Sequence, residues 1–225
     1  MDQRKENLLI KIVEEHIKTA QPVGSSVLVN KYFDLSSATL RNEMADLEKE
    51  GYLRQPHTSA GRVPTETGYR YYLEHFLKKK QLNASQKRLL DKTGSINEEP
   101  AQIIKNLAKA VAELSGNTVF VAFDHNNVYY TGLTNLFTQP EFENPNLVRN
   151  MSRIIDRFDE VIGKMFANLE RETTILLGED NPFSDDCSCL VADYGHIVFG
   201  ILGPTRMDYG QNLALIEYIK ELINE

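Results

Sequence analysis

Apolar residues recur three and four apart through most of the first 80 positions, and they cluster in short runs after position 117. The pattern predicts a helical head followed by a mixed helix and strand region. A first helix is expected from Arg4 to Thr19, with Leu8, Leu9, Ile12, Val13 and Ile17 on one face, stopping before Pro22 and Gly24. A short second helix should start at Ser25 as N-cap and run through Val27 and Leu28 to Tyr32. After a tight connection at Phe33-Asp34-Leu35, a third helix begins at Ser36 or Ser37. It carries Leu40, Met44 and Leu47 inward and ends at Gly51. Tyr52 to Pro56 and Arg62 to Pro64 flank a turn-rich tip, as two strands of a ribbon would, and a fourth helix is expected from Thr65 to about Lys80. Helix, helix, turn, helix, ribbon, helix is the order of a winged helix-turn-helix.

Beyond residue 80 the pattern changes. Residues 81–100 are polar and contain Gly94, Ser95 and Asn97, so they read as a linker with at most a helical turn. Residues 101–225 read as a second domain. A helix from Ala101 to Leu114 precedes strands at Thr118–Phe123 and Val128–Leu133, joined by the turn Asp124-His125-Asn126-Asn127. One long helix is expected from Asn146 to Leu169, then a strand at Thr173–Leu177 and a hairpin made of Cys189–Ala192 and Ile197–Leu202. A final helix covers Met207 to Asn224. The expected class is α+β: a winged helix-turn-helix in residues 1–80, then an α+β domain with an antiparallel sheet.

Charge sharpens this division. The chain has 225 residues and a net charge of −7, an unpromising balance for a protein that binds nucleic acid. Split along its length, the first 80 residues carry +2 and the rest −9. Such asymmetry points to different partners for the two parts. No apolar run reaches the length that crosses a bilayer, and Met1–Val13 is too charged for a signal peptide, so a cytoplasmic protein without membrane contact is expected. Cys187 and Cys189 alone make neither a disulfide scaffold nor a four-cysteine zinc site.

With Leu40, Met44 and Leu47 inward, the opposite stripe of the third helix is Ala38, Arg41, Asn42, Ala45 and Lys49. Alanines allow close approach to a major groove, Arg pairs with guanine, and Asn with adenine or a phosphate. Ser36, Ser37 and Thr39 offer hydroxyls at the helix start. A solvated helix face with an ordinary N-cap is the competing reading. The ribbon favours the first: between Gly51 and Glu66 it holds Arg54, His57 and Arg62 and no acid, with Thr58, Ser59 and Gly61 at a flexible tip. A basic wing of this kind can lie along a backbone or enter a minor groove. Tyr69, Tyr71 and Tyr72 read mainly as packing.

The segment EEHIKTAQPVGSSVLVNKYFDLSSATLRNEMADLEKEGYLRQPHTSAGRVPTETGYRYYL closely resembles the N-terminal domain of the HrcA family, bacterial heat-inducible transcription repressors. TGLTNLFTQPEF at 131–142, LLGEDNPF at 176–183, DCSCLVADYG at 186–195 and GPTRMDY at 203–209 resemble that family's C-terminal part, in the same order. The resemblance implies a repressor of chaperone operons that binds an inverted-repeat operator on double-stranded DNA as a homodimer. It also implies a GAF-like C-terminal domain, and a GroEL-type chaperonin as a partner whose recruitment by unfolded proteins lifts repression. The family's DNA-facing turn falls on Ser37, Thr39, Arg41 and Asn42. One departure stands out. A long middle section with its own dimerising subdomain is mostly absent, and Asn117–Tyr130 bridges the gap. An inverted repeat then requires either that the short domain pairs unaided or that DNA templates pairing.

Within the C-terminal motifs, Gln139, Glu141, Thr205, Arg206, Asp208 and Tyr209 are candidates for a regulatory or interaction role. A small-molecule site is one reading; a turn-fixing or protein-contact role is the other. A small-molecule-sensing winged-helix regulator is therefore the alternative function. Cys187 and Cys189 with His196 lack a fourth metal ligand and read as buried strand cysteines. No phosphate loop, dinucleotide glycine pattern or nucleophile elbow occurs, so neither cofactor nor enzymatic activity is expected.

Overall fold

The computed structural model describes residues 1–124, 126–166 and 173–224. It separates two units, Met1–Leu77 and Lys78–Glu225. In the first, Asp2 caps α1 (Gln3–Thr19) by accepting from the Arg4 and Lys5 amides. Leu8, Leu9, Ile12 and Val13, at helical spacing, are all fully buried. The helix stops at Ala20, in the left-handed region at φ 56° and two residues ahead of Pro22. α2 (Ser25–Lys31), α3 (Ser37–Lys49), β1 (Leu53–Arg54), β2 (Val63–Pro64) and α4 (Glu66–Phe76) follow. Leu28, Leu40, Met44, Leu47, Leu53, Val63 and Tyr69 complete the small core.

The ribbon has a third member that the pattern does not announce. Val23 bridges Arg62 through two backbone hydrogen bonds of 2.8 and 2.9 Å. A Cβ at position 61 would collide with the Val23 carbonyl, so glycine is required there. Two expectations change at helix ends. Ser25 is the first residue of α2, not its cap. Gly24 occupies the cap position, and the Ser25 hydroxyl instead meets Ser37 Oγ at 2.8 Å. α4 ends at Phe76, four residues short of Lys80, where Leu77 turns extended at ψ 122°.

In the second unit, residues 81–100 differ from the expected linker. They carry α5 (Ala84–Gly94), opened by a capping box between Asn83 and Gln86, with Leu90 fully buried. α5 packs on α6 (Pro100–Ser115) and on the last helix. Its polarity misleads because only a narrow stripe faces inward. After α6 come β3 (Thr118–Asp124), β4 (Asn127–Thr131), α7 (Leu133–Phe137), α8 (Pro145–Ile155), α9 (Phe158–Phe166), β5 (Thr174–Leu177), β6 (Cys187–Asp193), β7 (Val198–Pro204) and α10 (Tyr209–Asn224). The strands form one antiparallel sheet in the order β4-β3-β7-β6-β5. Its alternation is strict: Phe120, Ala122, Cys187, Cys189, Val191, Val198 and Leu202 join α7, α8 and α9 in one apolar layer. The residues between them, Val119, Val121, Leu190, Ile201 and Phe199, are equally buried, on the face that carries α6 and α10. Helices on both faces of an antiparallel sheet give the GAF-like α+β arrangement.

The helix expected over 146–169 is two helices. At Asp156–Arg157 the backbone tightens, with the Arg157 amide bonding the Ile154 carbonyl. Phe158 then enters an aromatic cluster with Phe120 and Phe183, at ring separations of 5.8 and 5.1 Å. Residues 167–169 of that expected helix, and His125 of the expected turn, lie outside the described residues. The second strand ends at Thr131, not Leu133, because Gly132 turns left-handed at φ 78° and starts α7.

Candidate nucleic-acid interface

α3 is built to show one face and hide the other. Ser36 caps it, its hydroxyl accepting from the Thr39 amide at 3.0 Å and meeting Thr39 Oγ1 at 2.8 Å. Leu40, Glu43, Met44 and Leu47 are buried, whereas Ala38, Arg41, Asn42 and Lys49 are exposed and Ala45 is half-buried. The expected stripe is thus brought together on one face. Ser37 is committed to Ser25 and ties α3 to α2.

The acids of α3 are all engaged by bases of the same unit. Arg4 pairs with Glu43 at 2.5 Å, Lys5 lies 3.4 Å from Asp46 and 3.0 Å from Glu50, and Arg62 meets Glu48 at 2.9 Å. Lys49 lies 3.6 Å from Asp46 but remains largely exposed. Arg41 and Arg54 are exposed and form no ion pair among the described residues. The face bearing Arg41 therefore keeps cationic character in an anionic protein.

The wing tip holds exposed His57, Thr58 and Ser59, with Ser59 Oγ 3.4 Å from His57 Nδ1. Arg62 is less open than a free cation on a flexible tip. Its side chain is 14% exposed, and Nε donates to Glu48 at 2.9 Å. Glu48 also accepts from the Gln55 amide at 2.9 Å, while the Gln55 side-chain nitrogen donates to the Thr58 and Ala60 carbonyls, both at 3.0 Å. Glu48 and Gln55 escaped sequence reasoning, because an acid on a recognition helix looks like solvation until its partner is seen. Two of the tyrosines bond within their own unit: Tyr69 is buried with its hydroxyl 2.7 Å from His16 Nδ1, and Tyr71 donates to Glu6, which with burial pushes its hydroxyl pKa up to about 12.

The C-terminal motifs converge on a different kind of site. Arg206 donates to Glu141 through Nε at 2.6 Å and a terminal nitrogen at 3.0 Å, and to Gln139 Oε1 at 2.7 Å. Asp208 caps α10, accepting from the Gln211 amide at 3.0 Å, and pairs with Lys80. Tyr209 is buried, donates to the Thr205 carbonyl at 2.5 Å and lies 2.9 Å from Ser188 Oγ. These contacts fit the turn-fixing reading. The layer between sheet and α7–α9 is filled by Phe120, Phe158 and Phe183, at most 2% exposed. Burial pushes the Cys187 thiol up to about 12, as befits an inert strand cysteine.

A winged helix-turn-helix with an open polar face, followed by a GAF-like unit whose motif side chains Arg206, Asp208 and Tyr209 bond within that unit, defines a DNA-binding transcription regulator. Residues 66–212, about two thirds of the chain, match the family model for the HrcA protein C terminal domain. The chain belongs to the HrcA family. A heat-inducible transcription repressor of Carboxydothermus hydrogenoformans is 28% identical over 335 aligned positions, covering 100% of this chain and 98% of that protein. About a third of those positions meet no residue of this 225-residue chain, as expected if an internal section is absent. The repressor of Pelotomaculum thermopropionicum is 42% identical over 123 residues, covering 54% of this chain and 35% of that protein. A solved structure described as a hypothetical protein shares the fold, with a TM-score of 0.82 and 18% identity over 99% of this chain and 97% of that one.

Proposed function

We propose that this chain represses heat-inducible chaperone operons by binding an inverted-repeat operator as a homodimer in the cytoplasm. Each head reads one half-site, with Arg41 and Asn42 addressing base edges from the major groove and Ala38 and Ala45 permitting the approach. Ser36, Thr39, Lys49, Arg54, His57, Thr58 and Ser59 supply contacts to phosphate and sugar. Ser37 holds the elements that present them, and Arg62, fixed through Nε by Glu48, keeps its terminal nitrogens for the backbone. The second unit pairs the subunits and couples release to heat or unfolded-protein stress, with a GroEL-type chaperonin as partner. The role is regulatory, not catalytic.

The observation that carries this reading is the exposed Arg41 and Asn42, with no ion pair to Arg41 among the described residues, opposite the buried Leu40–Met44–Leu47 face of one helix. Gel-shift titration against an inverted-repeat duplex at several salt concentrations tests it. Binding that weakens linearly with the logarithm of salt, and exceeds binding to a shuffled duplex, is expected.

A further inference from the structure

Between the wing and α3 lies a cleft of about 380 Å³, lined by Ser26, Arg41, Gln55, Thr58, Ser59 and Arg62 among others. None of the described residues lining it is acidic. It gathers two guanidinium groups and the hydroxyls of Ser25, Ser26, Thr58 and Ser59 into one concavity, with Gln55 spent on the Thr58 and Ala60 carbonyls. An anion with several acceptor oxygens fits that donor set.

Arg62 is the informative member. It is mostly withdrawn from solvent, and Nε is spent on Glu48, which leaves the terminal nitrogens of a rigid fork for the cleft. The same Glu48 carboxylate fixes the start of the wing through the Gln55 amide, and the Gln55 side chain fixes its tip through the Thr58 and Ala60 carbonyls. One carboxylate on the recognition helix therefore sets the position of the wing and of its buried arginine together. An acid beside a DNA-binding face ordinarily repels phosphate. Here its charge is matched by Arg62, and Arg41 remains as the cleft's uncommitted cation.

We propose that this cleft seats one backbone phosphodiester of the bound DNA, and that Glu48 is the positioning residue that holds Arg62 and the wing in place around it. The inference rests on the operator-binding reading above and assigns one phosphate within it. Binding would gain the charge-assisted bonds of a preformed seat, and the spacing between groove reading and wing contact would be fixed before DNA arrives.

The test is an anisotropy titration of the full chain against duplexes selected for binding, each carrying one neutral methylphosphonate, scanned through the half-site. One position per half-site should weaken wild-type binding about 10-fold. At that position the same substitution should cost Arg62→Gln and Glu48→Gln less than about 2-fold, since the partner of the lost charge is already gone or displaced. Thermal unfolding checks that both variants fold. Should Arg62→Gln not fold, Ser26→Ala on the cleft wall should shrink the methylphosphonate effect to about 3-fold. Salt-dependent DNA binding with a flat scan, or an undiminished effect in the variants, overturns this inference and leaves operator binding standing. Loss of all duplex binding overturns both. Inorganic phosphate supplies the second arm: saturable binding of it without DNA, together with a flat scan, would make the cleft a free-anion site and overturn the proposal.

Discussion

Two arginines, Arg41 on α3 and Arg206 after β7, show how differently the two units treat charge. Arg206 is 12% exposed and gives three hydrogen bonds to Glu141 and Gln139, stapling two segments about 65 residues apart. Arg41 is exposed, on a helix whose acids are already engaged by other bases. A group that satisfies a neighbour contributes to the fold, whereas one left open in an otherwise saturated surface is available to a partner. The contrast supports the proposal that the head carries the DNA-reading face.

The contrast breaks first if the second unit tolerates loss of its interior. Phe158→Ala removes a ring packed on Phe120 and Phe183 and should cost about 3–5 kcal/mol of that unit's stability in denaturant unfolding, with the head transition unmoved. Next, Arg206→Ala leaves Glu141 without its partner and should cost roughly 1.5–3 kcal/mol in the same experiment. Arg41→Ala and Asn42→Ala should do the converse. Each should cost about 1–3 kcal/mol of operator binding and relax sequence preference, while stability stays within about 0.5 kcal/mol.

The smallest effect concerns the frame of the head. Glu15 is buried on α1, where hydrogen bonds from Lys31 at 2.7 Å and from Tyr32 hold its carboxyl below the ordinary glutamate value. Its folded value being depressed, the stabilisation is complete above the unfolded value of about 4.3 and fades as pH falls through the folded one. The stability difference between wild type and Glu15→Gln should accordingly be level above about pH 5 and shrink below about pH 4. A difference that grows on acidification would contradict the assignment.

Much of the head was legible because helical periodicity and local caps decide it: Leu40, Met44 and Leu47 fix which face of α3 turns outward, and Ser36 fixes its start. What escaped depends on partners distant in sequence. Arg62 looks like a free wing cation until Glu48, 14 residues earlier, is found against it. The polar stretch at 81–100 hides α5, whose single fully buried apolar residue, Leu90, meets helices that come later in the chain. The break between α8 and α9 leaves no mark because Leu147, Met151, Phe158 and Ile162 continue one helical period through it. In the C-terminal motifs the sequence does not separate a ligand site from a turn-fixing role, because the Arg206 partners Glu141 and Gln139 lie about 65 residues away.

The most direct test is the affinity of the wild-type chain and of an Arg41→Ala/Asn42→Ala double variant for an inverted-repeat duplex and for its shuffled counterpart, measured side by side. Wild type should prefer the repeat strongly, and the double variant should lose most of that preference while keeping the wild-type unfolding midpoint. Equal preference in the two proteins would place the reading of DNA somewhere other than the outward face of α3.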